Sequence, residues 1–142
     1  MKSLDQGRAI QRPLVAVVDD DESVRESLPD LLGEFGLRSK VFSSAEDFLA
    51  SDSVGQVKCL VLDIAMPGMS GFDLQHELKV RGYNIPIVFI TAQKDETVRK
   101  RALEGGAVGF LPKPFSDTAL LKALNTALGL DSATPDSWSI AE

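Results

Sequence analysis

Short apolar runs alternate along this chain with segments whose apolar residues recur every three or four positions. A run that is apolar throughout is typical of a strand buried on both faces of a parallel sheet, whereas a spacing of three and four is typical of a helix with one face on the core. Buried strands are predicted at residues 14–18, 58–62 and 86–90, and shorter strands at residues 39–42 and 108–111.

A helix is predicted after each strand. The first has an apolar stripe that begins at Val24, and the third spans residues 70–80. Pro29 lies inside the first helix, where it removes a backbone hydrogen bond at a cost of about 3 kcal/mol unless the helix kinks. The residues predicted to cap or end the helices are Asp21 or Ser23, Gly36, Ser43 or Ser44, Asp95 or Thr97, Gly105, Gly106 and Ser116.

The alternation of five strands with five helices predicts an α/β fold, a doubly wound five-stranded parallel sheet with right-handed crossovers. Residues 1–12 are expected to form a flexible lead-in and residues 13–128 a single domain. Residues 129–142, which include Trp138, are expected to form a flexible tail. The residues after 128 are too few for a helix-turn-helix output domain, so the expectation is a stand-alone domain or a piece of a longer protein.

Composition narrows the class of function. The 142 residues are 44% hydrophobic and carry a formal net charge of −6, which indicates a globular protein poorly suited to binding nucleic acid or an anionic membrane. No apolar run approaches the roughly 18 residues of a membrane span, so a cytoplasmic protein is expected. One cysteine, Cys59, and one histidine, His76, exclude a multi-cysteine zinc site; Cys59 is expected to be buried and His76 solvated.

Chemically competent side chains follow four of the predicted strands. Ligands of open α/β sheets bind at the carboxyl ends of the strands, so these side chains are expected to converge. They are Asp19, Asp20 and Asp21 after the first strand, Asp63 after the third, Thr91 after the fourth and Lys113 after the fifth.

Convergent carboxylates repel each other, by about 4 kcal/mol for two unit charges 4 Å apart at an effective dielectric near 20. Hard oxygen ligands without histidine or cysteine favour Mg²⁺, which shares its coordination with phosphate oxygens. Lys113 adds positive charge, and Asp63 is then placed to act as a nucleophile that carries a phosphoryl group as an acyl phosphate. Helix capping alone accounts for Asp21 but not for Asp19 together with Asp20.

Four motifs resemble the receiver domain of bacterial two-component response regulators, over roughly residues 13–128. They are residues 17–25 (VVDDDESVR), 63–71 (DIAMPGMSG), 90–92 (ITA) and 113–115 (KPF). Residues 44–49 (SAEDFL) and 106–111 (GAVGFL) are similar to receivers of the FixJ type. The resemblance implies a CheY-like fold with strand order 2-1-3-4-5.

The resemblance also implies roles for residues. Asp63 matches the phosphoacceptor, and Asp19 and Asp20 match the acidic pair that binds Mg²⁺ (or Mn²⁺) together with Asp63 and the backbone carbonyl of Ala65. Lys113 matches the lysine that pairs with the phosphoryl group.

The family's switch positions can be placed in the same way. Thr91 matches the hydroxyl that moves to the phosphoryl group, and Phe110 matches the aromatic residue whose rotamer follows it. The peptide bond between Lys113 and Pro114 is expected to be cis.

The resulting functional hypothesis is a Mg²⁺-dependent switch rather than an enzyme, although it assists its own phosphotransfer and dephosphorylation. Its expected partners are a sensor histidine kinase or phosphotransfer protein, and a downstream protein that binds the surface of the fourth helix, fifth strand and fifth helix. The basic run at residues 99–101 on that surface is expected to be solvated. The protein is expected to be a monomer or a phosphorylation-dependent dimer. The alternative is an adaptor with the same fold that acts without phosphorylation.

Overall fold

The structure, a computed structural model, describes residues 12–130. Within them five strands alternate with five α-helices, as the hydrophobic pattern predicts. The strands are β1 (Leu14–Val18), β2 (Arg38–Phe42), β3 (Cys59–Asp63), β4 (Ile87–Thr91) and β5 (Gly109–Pro112). The helices are α1 (Glu22–Glu34), α2 (Ala45–Ala50), α3 (Gly71–Val80), α4 (Glu96–Glu104) and α5 (Asp117–Ala127). The predicted lead-in before Arg12 and the tail with Trp138 lie outside the described residues.

The strands form one parallel sheet in the order β2-β1-β3-β4-β5, which confirms the predicted fold class and strand order. Strands β1, β3 and β4 are buried at every position, whereas the edge strands β2 and β5 are partly exposed. The register pairs Asp63 with Ile90 and Thr91 with Pro112, so the last residues of neighbouring strands lie side by side.

Each face of the sheet has its own hydrophobic layer, because successive side chains of a strand point to opposite faces. Leu60, Leu62 and Phe89 belong to the layer under α2, α3 and α4. Val61 and Val88 belong to the layer under α1 and α5. Helices on both faces explain why the central strands are buried throughout and apolar up to their last residue.

Several boundaries differ from the prediction by one residue. The predicted strands at 58–62, 86–90 and 108–111 each begin and end one residue later, β2 begins one residue earlier, and α3 begins at Gly71 rather than at residue 70. A 3-10 helix at Asp52–Gly55 was not predicted. The structure also decides between the alternative caps: Asp21, Ser44 and Asp95 precede their helices and accept backbone hydrogen bonds there.

Other expectations concern single residues. Pro29 lies within α1, which runs without interruption from Glu22 to Glu34. Cys59 is fully buried, as predicted, and this burial raises the pKa of its thiol to about 12, which disfavours the reactive thiolate form. His76 is exposed on α3. Among residues 12–130, every helix is too short or too polar to cross a membrane.

Candidate functional site

Three carboxylates meet at the carboxyl edge of the sheet. Asp19 and Asp20 follow β1 directly, and Asp63 is the last residue of β3. One oxygen of each lies within 4.8 Å of the others, which is the spacing that a single cation could bridge. Asp19 and Asp63 are buried and Asp20 is exposed, so the cluster has two members under the surface and one facing solvent.

Asp19 is held by contacts on all sides. Its Oδ1 accepts a hydrogen bond from the backbone N–H of Asp21 at 2.9 Å, and its Oδ2 forms an ion pair with Lys113 Nζ at 2.9 Å. Its backbone carbonyl accepts a hydrogen bond from Arg25 Nη1 at 2.9 Å. These contacts fix the turn between β1 and α1 that presents both Asp19 and Asp20.

Lys113 brings positive charge into the cluster from the residue after β5. Its Nζ lies 2.9 Å from Asp19 Oδ2 and 3.8 Å from Asp63 Oδ1. Burial lowers the pKa of Lys113, but the hydrogen bond and attraction of Asp19 and the charge of Asp63 outweigh it, so the pKa lies above its usual value. Lys113 is therefore charged at neutral pH and neutralises part of the carboxylate charge.

Asp63 is the electrostatically strained member of the cluster. Burial raises its pKa from 3.8 to about 7, and the negative charge of Asp19 contributes in the same direction, while Lys113 opposes the shift. A further positive charge close by would favour the ionised form of Asp63 and lower its pKa again. The single ammonium of Lys113 is not enough for three carboxylates.

The donor set fits Mg²⁺. The residues offer carboxylate oxygens of the hard type that this cation prefers, with no histidine or cysteine in the cluster. Asp19 Oδ2 is buried, and its ion pair with Lys113 leaves a lone pair for a cation. Ala65, whose carbonyl is the fourth expected ligand, lies two residues after Asp63 and is exposed on the loop that follows β3.

The two expected switch residues lie on β4 and β5, the strands between β3 and the edge of the sheet. Thr91 ends β4 and is fully buried, and its Oγ1 accepts a hydrogen bond from the backbone N–H of Gln93 at 3.0 Å. Phe110 is half-buried on β5, opposite Phe89 in the register, and packs against the core layer under α3 and α4. The peptide bond between Lys113 and Pro114 is cis.

Three residues that support the site were not identified from the sequence. Arg25 binds the Asp19 carbonyl, Gly71 lies against the backbone of Asp63, and Glu46 binds the loop after β3 through the N–H of Met69. All three fall within stretches that resemble the family, but each acts through a contact to another element. A sequence motif includes each residue but does not show which residue of another element it contacts.

A first prediction concerns stability and pH. The pKa of Asp63 is higher in the folded state than in the unfolded chain, so protonation of Asp63 stabilises the fold. This stabilisation is complete below pH 4 and is lost as the pH rises through about 7. In Mg²⁺-free buffer, Asp63→Asn should raise the free energy of unfolding at pH 8 by about 1–2 kcal/mol after allowance for solvent screening. Urea unfolding at pH 8 and pH 4 checks this. Equal differences between variant and wild type at the two pH values would contradict it.

Comparison with known proteins gives one consistent result. A family model described as the response regulator receiver domain matches residues 15–125. The response regulator protein TmoT of Ectopseudomonas mendocina is 45% identical over 122 residues, 84% of this chain and 54% of the relative. The transcriptional regulatory protein FixJ of Azorhizobium caulinodans is 40% identical over 115 residues, 81% of this chain and 54% of the relative.

Solved structures agree. The crystal structure of FixJ-N superposes with a TM-score of 0.75 at 40% identity, covering 84% of this chain and 95% of that one. The chain spans about half the length of TmoT and FixJ.

Proposed function

The chain belongs to the response regulator receiver family, and we propose that residues 13–128 form a phosphorylation switch whose phosphoacceptor is Asp63. The observation that supports this most directly is the cluster of Asp63 with Asp19, Asp20 and Lys113 at the carboxyl edge of the sheet. The proposed donor is the phosphohistidine of a sensor histidine kinase or of a phosphotransfer protein. Such a donor derives its phosphoryl group from ATP, so we expect the protein to act in the cytoplasm.

In the proposed transfer, a carboxylate oxygen of Asp63 attacks the phosphorus atom of the donor. An oxygen–phosphorus bond forms and the phosphorus–nitrogen bond of the donor breaks. The electron pair of the broken bond stays on the imidazole nitrogen, which takes a proton from solvent. The product is an acyl phosphate on Asp63, and water later hydrolyses it to aspartate and inorganic phosphate.

The residues around Asp63 have separate tasks in this transfer. Asp19, Asp20, Asp63 and the Ala65 carbonyl would hold Mg²⁺ (or Mn²⁺), which when bound neutralises charge on the carboxylates and the phosphoryl oxygens. The Nζ atom of Lys113, 3.8 Å from Asp63 Oδ1, is close enough to pair with an oxygen of a phosphoryl group attached to Asp63.

The signal would leave through Thr91. Its hydroxyl oxygen now accepts the N–H of Gln93, and a phosphoryl group on Asp63 offers an anionic acceptor for its proton. Movement of Thr91 would free space for Phe110 and alter the face formed by α4, β5 and α5. On that face, Leu103 of α4 is partly exposed and offers an apolar contact to a protein partner. Binding there, or dimerisation, is the proposed output.

The basic residues of α4 have contacts within the chain. Arg99 forms an ion pair with Glu96 at 3.3 Å, and the Arg101 guanidinium lies 4.2 Å from the centre of the Phe72 ring. All three basic residues are exposed, in keeping with a solvated face. No contact of the described residues favours the phosphorylation-independent adaptor over the switch.

The switch and the adaptor predict different responses to a phosphoryl mimic. Beryllofluoride with Mg²⁺ should change the amide chemical shifts of Thr91, Phe110 and residues of α4, and omission of Mg²⁺ should abolish the change. Two-dimensional NMR of the labelled chain measures this. A spectrum that stays the same with and without beryllofluoride would favour the adaptor.

A further inference from the structure

The loop between β3 and α3 connects the proposed phosphoacceptor to the next helix. It begins directly after Asp63 and carries the carbonyl of Ala65. At its base, the backbone N–H of Gly71 donates to the carbonyl of Ile64 at 2.8 Å. This bond closes the loop but does not fix the residues at its tip, several of which are exposed: Ala65, Pro67 and Gly68.

A carboxylate from a different element reaches the tip of this loop. Glu46 Oε2 accepts a hydrogen bond from the backbone N–H of Met69 at 2.9 Å, across 23 residues of sequence. The same oxygen would lie 2.7 Å from a Cβ atom at Gly68, whose φ of +74° already favours glycine. The carboxylate therefore lies directly over the Gly68–Met69 backbone, in space that only a glycine leaves open.

Helix α2 gives Glu46 a fixed base. Ala45 and Phe48, on either side of Glu46, are fully buried in the core layer. The Ser44 side chain caps the helix by accepting the N–H of Asp47 at 3.0 Å. The Phe48 ring also meets the Phe42 ring of β2 edge to face, with centroids 5.3 Å apart. A helix anchored in this way holds the carboxylate in place relative to the sheet.

From these contacts we propose that Glu46 is a positioning residue for the proposed phosphorylation site. Through Met69 it holds the loop after β3, and thereby sets the position of the Ala65 carbonyl relative to Asp63. This inference rests on the proposed function, because it assigns Glu46 to the same site. It assigns the effect to the hydrogen bond and not to the charge of the carboxylate.

Two substitutions separate the hydrogen bond from the charge. Glu46→Ala removes both, whereas Glu46→Gln keeps an acceptor oxygen without the charge. The matched control is Glu34→Ala, which removes an exposed glutamate at the C-terminal end of α1. Circular dichroism verifies that each variant is folded, as expected for changes at exposed positions.

Three readouts follow the effect from the contact to the site. Hydrogen exchange of the Met69 amide in Mg²⁺-free buffer reports the contact itself, calorimetric titration reports Mg²⁺ affinity, and intact mass reports phosphorylation by acetyl phosphate. Glu46→Ala should speed Met69 exchange by about tenfold, and should weaken Mg²⁺ binding and slow phosphorylation by about threefold to tenfold. Glu46→Gln should restore most of each value, and Glu34→Ala should match the wild type.

Each other result overturns the inference in a recognisable way. Unchanged Mg²⁺ affinity and phosphorylation rate in Glu46→Ala would show that the hydrogen bond from Glu46 to Met69 does not position the site. If Glu46→Gln lost as much Mg²⁺ affinity and phosphorylation rate as Glu46→Ala, the effect would come from the charge of the carboxylate and not from the hydrogen bond. A wild-type chain that binds no Mg²⁺ and accepts no phosphoryl group would refute the proposed function itself, and this inference with it.

Discussion

Asp63→Asn is expected to abolish the gain of one phosphoryl group when the chain is incubated with Mg²⁺ and acetyl phosphate. The amide oxygen and nitrogen of asparagine are much weaker nucleophiles than a carboxylate, and an acyl phosphate needs a carboxyl oxygen. The substitution also removes one of three anionic groups from the cluster. We expect the initial rate to fall at least about a hundredfold, as measured by intact-mass spectrometry.

Asp30→Asn makes the same chemical change at an exposed position of α1 and should be phosphorylated at the wild-type rate. Circular dichroism of Asp63→Asn separates loss of the phosphoacceptor from loss of the fold, and the raised pKa of Asp63 predicts that the variant stays folded. A labile phosphoryl group on Asp63→Asn would place the phosphoacceptor at another carboxylate.

The sequence predicts the fold well because the alternation of buried strands and amphipathic helices leaves few alternatives. Three strands that are apolar up to their last residues require helices on both faces, and all three are found buried between two helical layers. Convergence of Asp19, Asp63 and Lys113 follows from the same rule, since parallel strands end at a common edge. Local pattern sufficed for these residues because each lies at or next to the end of a strand.

The partners of these residues were less predictable. Lys113 lies closer to Asp19 than to Asp63, at 2.9 Å against 3.8 Å, and the sequence ranks neither above the other. Asp19 is buried and Asp20 exposed although they are neighbours in the chain, because the turn after β1 directs them differently. The contact of Glu46 with Met69 joins two elements that no periodic pattern relates.

Gly71 provides the second large effect expected from a single substitution. It is the first residue of α3, and a Cβ atom there would lie 2.4 Å from the carbonyl oxygen of Asp63 and 2.9 Å from Cα of Ile64. Both neighbours are backbone atoms, which cannot rotate away as a side chain can. Gly71→Ala must therefore displace either the end of β3, with Asp63, or the start of α3.

Gly33→Ala supplies the comparison, because Gly33 lies inside α1 and a methyl group added there would have nothing within 4 Å. Alanine favours a helix interior over glycine, so Gly33→Ala should raise the free energy of unfolding by up to about 1 kcal/mol. Gly71→Ala should lower it by about 1–3 kcal/mol, the usual cost of overpacking. Because a shift of about 1 Å at a reacting group can reduce a rate about a hundredfold, phosphorylation by acetyl phosphate should also fall by one to two orders of magnitude. Urea unfolding measures the effect on stability, and intact mass measures the effect on phosphorylation. A Gly71→Ala protein as stable and as rapidly phosphorylated as Gly33→Ala would show that the backbone around Asp63 can shift without affecting either property.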